Sequence, residues 1–167
     1  MKSCCQEYRF LVLARNNSLM DFARDRILQL HLCRVAAYTL LRSNTIRTDV
    51  KLVISLTDYV IVVDGGKVKG LRVDDDSCVG FIRTLLRKGR MPGAKIVPLH
   101  QLTLKENKTC KWDEVIDGKK SLCCDIVLDG FPLLRINDKN IYTWYVGASL
   151  TILLEGGCWH DQRRRYP

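Results

Sequence analysis

The side chains best suited to chemistry in this 167-residue chain are cations concentrated in one quarter of it. Residues 81–120 contain ten Lys or Arg and four Asp or Glu, so they hold six of the nine net positive charges. Such groups bind phosphates, and a pI near 9.3 favours nucleic acid as the partner. We predict an RNA-phosphate surface, with a merely solvated face as the alternative. Its candidate residues are Arg83, Arg87, Lys88, Arg90 and Lys95, of which 83, 87 and 90 have the spacing of one helical face.

The other reactive side chains do not form a recognisable site. The eight cysteines include no C-x-x-C pair, and adjacent cysteines such as Cys123 and Cys124 are poorly spaced to ligate one tetrahedral zinc ion. The three histidines are scattered, and no Ser-His-Asp or Cys-His arrangement is recognisable. We therefore predict no structural metal and name no catalytic residue. The cysteines, Cys33 among them, are interpreted as packed small hydrophobes or surface thiols without a disulfide framework.

Strands and helices alternate in the predicted secondary structure. A capping box at residues 18–21 and an apolar run over 27–41 predict the first helices. The acidic run 74–76 is interpreted as the start of a further helix that ends at Gly89, with a Mg²⁺ site as the alternative. The predicted strands cover residues 8–13, 50–56, 59–63, 68–71, 94–99, 122–128 and 141–146.

This alternation indicates one α/β domain over residues 1–154, with a mostly parallel sheet flanked by helices and a short basic tail over 155–167. Hydrophobic residues make up 47% and charged residues 27% of the chain, which excludes wholesale disorder. No apolar run approaches the roughly 18 residues of a membrane span, and the first residues do not resemble a secretory signal. We expect a cytoplasmic protein without a membrane partner.

Glycines next to strands provide the candidate ligand loops. The stretch 64–67, Asp-Gly-Gly-Lys, predicts a hairpin turn between two strands, and it lacks the Gly-Lys-Ser/Thr and the following helix of a phosphate loop. In α/β folds, ligands bind beyond the carboxyl ends of parallel strands. Asp129, Gly130, Gly147 and Ala148 follow predicted strands, so geometry alone favours them for a small-molecule site.

Eight short stretches then occur in an order and spacing that is informative only when they are taken together. They are Leu32-Cys33-Arg34, Ile46-Arg47-Thr48-Asp49-Val50, Lys69-Gly70-Leu71, Asp74-Asp75-Asp76-Ser77, Gly80-Phe81-Ile82-Arg83, Leu85-Leu86, Pro92-Gly93 and Leu128-Asp129-Gly130. Their order resembles the SPOUT-class RNA methyltransferases, in particular the archaeal-type tRNA pseudouridine-N1-methyltransferases. The resemblance covers residues 8–100 with fair density and 121–150 weakly.

The resemblance implies a SPOUT-like α/β-knot fold that binds S-adenosylmethionine in a deep C-terminal trefoil knot. It also implies a homodimer that binds RNA, tRNA in the first place, across both subunits, and methyl transfer that depends on positioning. Arg47 joins the RNA-binding candidates on this basis. A side chain at Gly147 would then block the cofactor and leave the fold intact. The cofactor-binding residues that the resemblance implies are Leu128, Asp129, Gly130, Val146, Gly147 and Ala148.

The chain departs from the family pattern towards its C-terminus. Gly147 is followed by Ala-Ser-Leu-Thr where the family typically has Gly-Asp-His-Ile-Gly, and no candidate remains for a third cofactor loop. We therefore expect an incomplete knot and a dimer that buries Trp144, Tyr145 and Ile152. The resemblance therefore predicts an S-adenosylmethionine-dependent RNA methyltransferase, with N1-methylation of pseudouridine in tRNA as its reaction. The alternatives are a catalytically inactive RNA-binding protein of the tRNA-binding or ribosome-assembly type and an α/β domain whose charge is incidental.

Overall fold

A seven-stranded mixed sheet organises the chain in the computed structural model, which describes residues 7–42, 45–46, 49–101, 109–117 and 124–163. The strands are β1 (Tyr8–Leu13), β2 (Leu41–Arg42), β3 (Thr45–Ile46), β4 (Val50–Ser55), β5 (Tyr59–Asp64), β6 (Arg90–Met91), β7 (Ala94–Pro98), β8 (Thr109–Lys111), β9 (Asp125–Leu128), β10 (Leu133–Ile136) and β11 (Lys139–Tyr142). The helices are α1 (Leu19–Arg24), α2 (Arg26–Leu40), α3 (Asp75–Lys88), α4 (Trp112–Ile116) and α5 (Thr143–Arg163).

The strand order in the main sheet is β6-β7-β5-β4-β1-β9-β8. Strands β4, β1, β9 and β8 are parallel, whereas β5, β7 and β6 each pair antiparallel with their neighbours. The α/β class is therefore confirmed, but the sheet is mixed and only about half of its pairs are parallel. The reason is local: three residues separate β4 from β5, too few for a parallel crossover.

The core lies between this sheet and a layer in which α2 packs against both α3 and α5. Alternate strand residues supply the sheet side, and Phe10, Leu52 and Ile126 occupy one row across β4, β1 and β9 with no exposed surface. On the helix side, α2 contributes Leu32 and Ala36 at helical spacing. The two small sheets, β2-β3 and β10-β11, are hairpins outside the main sheet.

The helix termini follow the predicted capping chemistry. Ser18 and Asp21 form the predicted capping box at the start of α1. Asp74 caps α3 by accepting a hydrogen bond from the backbone N–H of Ser77, and hydrogen bonding to Ser77 lowers the pKa of the Asp74 carboxyl group. Gly89 ends α3 with a φ of 74°, a conformation that glycine adopts without strain.

Two predicted strands are absent from the structure. Residues 68–71 form no strand, because this segment passes over the β6–β7 turn, where a side chain at Gly93 would collide with the backbone of Val68. Residues 141–146 divide between β11 and α5, which begins at Thr143. Helix α5 also continues through residue 154, so the predicted boundary between domain and tail falls inside a helix.

A disulfide bond corrects the interpretation of the cysteines as thiols. Cys33 of α2 and Cys78 of α3 are disulfide-bonded, with their Cα atoms 5.6 Å apart, and Cys124 is disulfide-bonded as well. Each of the first two cysteines lies on the buried face of its helix, and the two faces meet where α2 packs against α3. Sequence spacing carries no information on such a pairing, since 45 positions separate the two residues.

Candidate nucleic-acid interface and cofactor crevice

Four of the predicted RNA-binding cations lie together where α3 ends and the sheet edge begins. Arg87 and Lys88 occupy the last turn of α3, and after Gly89 the chain enters β6, where Arg90 stands opposite Lys95 of β7. All four side chains are exposed. We call these four residues, Arg87, Lys88, Arg90 and Lys95, the cation cluster.

The positive charge of the cation cluster is not neutralised by ion pairs with described residues. Within the described part of the chain, none of its members forms an ion pair with a carboxylate. Arg90 and Lys95 are like charges placed directly opposite, an arrangement that costs free energy in a sheet and that a bound anion relieves. The two helix cations face the negative end of the α3 dipole, which stabilises them.

The predicted geometry of these cations needs one correction. Because α3 ends at Lys88, Arg90 lies on a strand and not one turn further along the helix surface. Arg83 is tied to the protein, since its Nε donates a 3.0 Å hydrogen bond to Oε1 of the buried Gln29. Arg47 lies outside the described residues.

The first predicted cofactor loop does lie at the carboxyl end of a parallel strand. Leu128 is buried at the end of β9, next to β1, and Asp129 follows it with an exposed side chain. The indole Nε1 of Trp112 donates a 2.9 Å hydrogen bond to Oδ1 of Asp129. Sequence reasoning missed Trp112, although a largely buried tryptophan in a segment of undecided structure usually requires an acceptor for its N–H.

Gly130 is required by its own hairpin and not by a ligand. A Cβ at this position would lie 2.5 Å from the carbonyl oxygen of Leu133. The Gly130 carbonyl oxygen also accepts a 2.8 Å hydrogen bond from Oγ1 of Thr143, which holds the loop to the start of α5. The close approach that glycine permits here is therefore already made by protein atoms.

The second predicted cofactor loop is part of a helix. Val146, Gly147 and Ala148 lie in α5, so they do not follow a strand and do not join Asp129 in a crevice at the sheet edge. Gly147 faces α2 instead, where an added Cβ would lie 2.8 Å from Cγ2 of Thr39. The prediction that these residues form a strand-end loop is wrong. A six-residue apolar run fits a strand and a buried helix equally well.

An open cavity of about 650 Å³ is lined by Asn17, by α1 and by the first turn of α2, and sequence reasoning did not identify it. Its carboxylates are engaged, because Asp21 belongs to the α1 capping box and Asp25 accepts hydrogen bonds from the first turn of α2. Its cations, Arg24 and Arg26, form no ion pair with any described residue. The cavity therefore offers two cations at the junction of α1 and α2.

Comparison with known proteins leaves the fold and the site geometry as the basis for function. No protein-family model and no curated protein matches this chain. Among the residues that the structure covers, no group of three His, Cys, Asp or Glu is placed to hold a metal ion. No helix in the same ranges is long and apolar enough to cross a bilayer.

Proposed function

We propose that this protein binds RNA through its phosphates and acts as a SPOUT-like RNA-binding protein of the tRNA-binding or ribosome-assembly type. The observation that carries the proposal is the cation cluster, four exposed cations grouped at the end of α3 and the edge of the sheet. Neutralising phosphates releases condensed counterions, and this supplies most of the affinity of non-specific RNA binding. The resemblance to tRNA-modifying enzymes indicates structured RNA as the class of partner.

The test removes two members of the cluster, Arg87→Ala with Arg90→Ala, and measures RNA affinity against salt concentration. We expect weaker binding to unrelated structured RNAs and a log–log salt slope that is smaller by about one to two units, because two phosphate contacts are lost. The matched control is the double variant Arg15→Ala, Arg135→Ala, which removes the same charge at exposed positions elsewhere.

The control separates a binding surface from the general effect of net charge. Equal slopes in the cluster variant and in the wild-type protein would contradict the proposal. So would equal losses in the cluster variant and in the control, because the RNA would then respond to overall charge alone. Folding is expected to be unchanged in both variants, since exposed cations contribute little to stability.

Methyl transfer from S-adenosylmethionine is the second candidate function. The observation that favours it is Asp129, exposed at the carboxyl end of β9 and held by Trp112. The other predicted cofactor residues do not fit a shared pocket. The space next to Gly130 is filled by the backbone of its own hairpin, and Val146–Ala148 are helical. Calorimetric titration with S-adenosylmethionine decides between the candidates: micromolar binding displaced by S-adenosylhomocysteine supports the enzyme, and no binding at millimolar cofactor excludes it.

A homodimer through α5 belongs to the same proposal. Tyr145, Ile152 and Leu153 are 58%, 67% and 44% exposed, and Ile152 and Leu153 lie about two turns after Tyr145 on this helix, which makes an apolar surface available to a second copy. Sedimentation of the wild-type protein and of Ile152→Asp is the test. A wild-type monomer at high micromolar concentration would contradict a dimer.

We also propose that the protein acts in the cytoplasm, as expected for a protein that binds tRNA. Disulfides are rare in that compartment, so the bond between Cys33 and Cys78 is expected to be reduced there for at least part of the time.

A further inference from the structure

Four aromatic rings form a stacked series on the surface where α2, β11 and α5 meet. Ring centroids are 5.2 Å apart for His31 and Tyr142, 5.7 Å for Tyr142 and Trp144, and 5.2 Å for Trp144 and Tyr38. The interplanar angles are 24°, 17° and 28°, so the rings are nearly parallel. We call these four residues the aromatic ladder.

The ladder depends on positions that are distant in the sequence. His31 and Tyr38 are seven residues apart on α2, which places them two turns apart on one face. Tyr142 ends β11 and Trp144 is the second residue of α5, and these two rings stack between the two α2 rings. The packing of α5 against α2 therefore builds the series.

Two of the four ladder side chains are exposed to solvent. Tyr38 is 41% and Tyr142 47% exposed, while Trp144 and His31 are half-buried. Neither Nε1 of Trp144 nor Nδ1 of His31 has a hydrogen-bond partner among the residues that the structure describes. Stacking, and not hydrogen bonding, therefore positions these two rings. Tyr38 ends the series and stacks on one described ring only, so its other face is available to a further flat group. Tyr142 lies between His31 and Trp144 and supports the Trp144 ring on which Tyr38 stacks.

A cation accompanies the rings. The guanidinium carbon of Arg34 lies 5.6 Å from the centre of the Trp144 ring, and its Nη2 is 3.3 Å from Asp75, the first residue of α3. The cation cluster lies at the opposite end of α3, about 20 Å away along a helix of 14 residues. One extended RNA segment is long enough to contact both.

We infer that the aromatic ladder is a stacking site for unpaired nucleobases, so that the RNA recognised by this protein contains a single-stranded segment. This inference rests on the proposed RNA binding and names its substrate class. Aromatic side chains beside arginine bind splayed-out bases, because every base has a π-face, whereas the bases of a duplex are already stacked on one another. We assign a second copy of the chain to the exposed apolar residues of α5, Tyr145, Ile152 and Leu153, and contact of a second copy with the ladder is one outcome of the test.

The experiment compares two alanine variants, Tyr38→Ala and Tyr142→Ala, with the ring-preserving variants Tyr38→Phe and Tyr142→Phe. Each is titrated with a single-stranded oligoribonucleotide and with a duplex of equal charge. We expect each alanine variant to bind the single strand about tenfold more weakly, with an unchanged salt slope and unchanged duplex affinity, and each phenylalanine variant to bind like the wild-type protein. Both tyrosines are exposed, and thermal unfolding verifies that the variants fold.

Each outcome has a defined consequence. If the alanine variants bind the single strand as the wild-type protein does, while the Arg87/Arg90 variant shows a flatter salt slope, the ladder site is refuted and the proposed function stands. If the alanine variants change only the sedimentation coefficient, the ladder is an interface between copies and the inference is wrong. A wild-type protein that binds neither RNA refutes the inference together with the proposed function.

Discussion

Arg9 and Asp125 join the two central parallel strands through their side chains. Arg9 donates from Nε at 2.8 Å and from Nη2 at 2.6 Å to the two carboxylate oxygens of Asp125, and both side chains are largely buried. The hydrogen bond from Arg9 to Asp125 is the main reason why the pKa of the guanidinium group is raised. A buried bidentate pair specifies geometry more than it adds stability, so this arginine aligns β1 with β9 and is not available to RNA.

His31 makes the stability of the fold depend on pH. Burial lowers the pKa of its imidazole from 6.5, the charge of Arg34 adds to the effect, and Asp25 partly opposes it. Since the unfolded chain then binds a proton more readily than the folded protein, stability is complete above 6.5 and falls as the pH drops through that value towards the folded-state pKa.

We expect His31→Gln to reduce this loss of stability. The measurement is the urea midpoint of both proteins at about pH 7.5 and about pH 5.5, which lie on either side of the unfolded-state histidine pKa of 6.5. The wild-type midpoint is expected to fall further than that of the variant. If the urea midpoints of both proteins decreased equally between the two pH values, groups other than His31 would cause the loss of stability.

The contact between α2 and α5 illustrates how one element limits the sequence of another. Gly147 brings α5 close to Thr39, whose hydroxyl donates a 2.7 Å hydrogen bond to the Val35 carbonyl oxygen and whose side chain is fully buried. Thr39 has little freedom to move aside, because any other rotamer gives up that bond. Gly80, in α3, is also helical, but an added Cβ there would meet no atom within 4 Å.

Alanine at these two glycines is expected to change stability in opposite directions. Gly80→Ala should raise the free energy of unfolding by about 0.5–1 kcal/mol, the difference in helix propensity. Gly147→Ala should lower it by about 1–2 kcal/mol, because overpacking against Thr39 exceeds that gain. Denaturant unfolding measures both. A stabilising Gly147→Ala would mean that the two helices separate easily, and the original expectation of a glycine that serves only a ligand would regain support.

At the scale of the whole molecule, the disulfide between Cys33 and Cys78 closes a loop that contains β4 and β5. Chain entropy assigns such a loop, whose ends are 45 positions apart, a stabilisation of about 4 kcal/mol relative to the reduced protein. Both cysteines are fully buried, and in the chain-entropy account their bond acts mainly on the unfolded chain.

Reduction is therefore expected to lower the unfolding midpoint of the wild-type protein more than that of the double variant Cys33→Ala, Cys78→Ala. The variant accounts for the disulfide of Cys124, which responds to reductant in both proteins. Chemical denaturation with and without reductant, at constant pH, measures the difference. The same reductant effect in both proteins would show that the bond between Cys33 and Cys78 does not contribute to it.

The sequence alone determined the features that depend on neighbouring residues. The capping box at Ser18, the extent of α3 between Asp74 and Gly89, the first strand and the α/β class were all predictable, because caps, dipoles and periodicity act within a few positions. The exposed cations of the cluster were also predictable, since charge is rarely buried without a partner.

Only the tertiary structure decided the features that join distant residues. Gly147 became a helix-packing residue because α5 lies against Thr39, and the apolar run around it is compatible with either secondary structure. The pairing of Cys33 with Cys78 and the stacking of Tyr38 on Trp144 likewise bring together residues from separate elements. Their physical cause is the burial of apolar surface between elements, which depends on the arrangement of the whole chain and has no local signature.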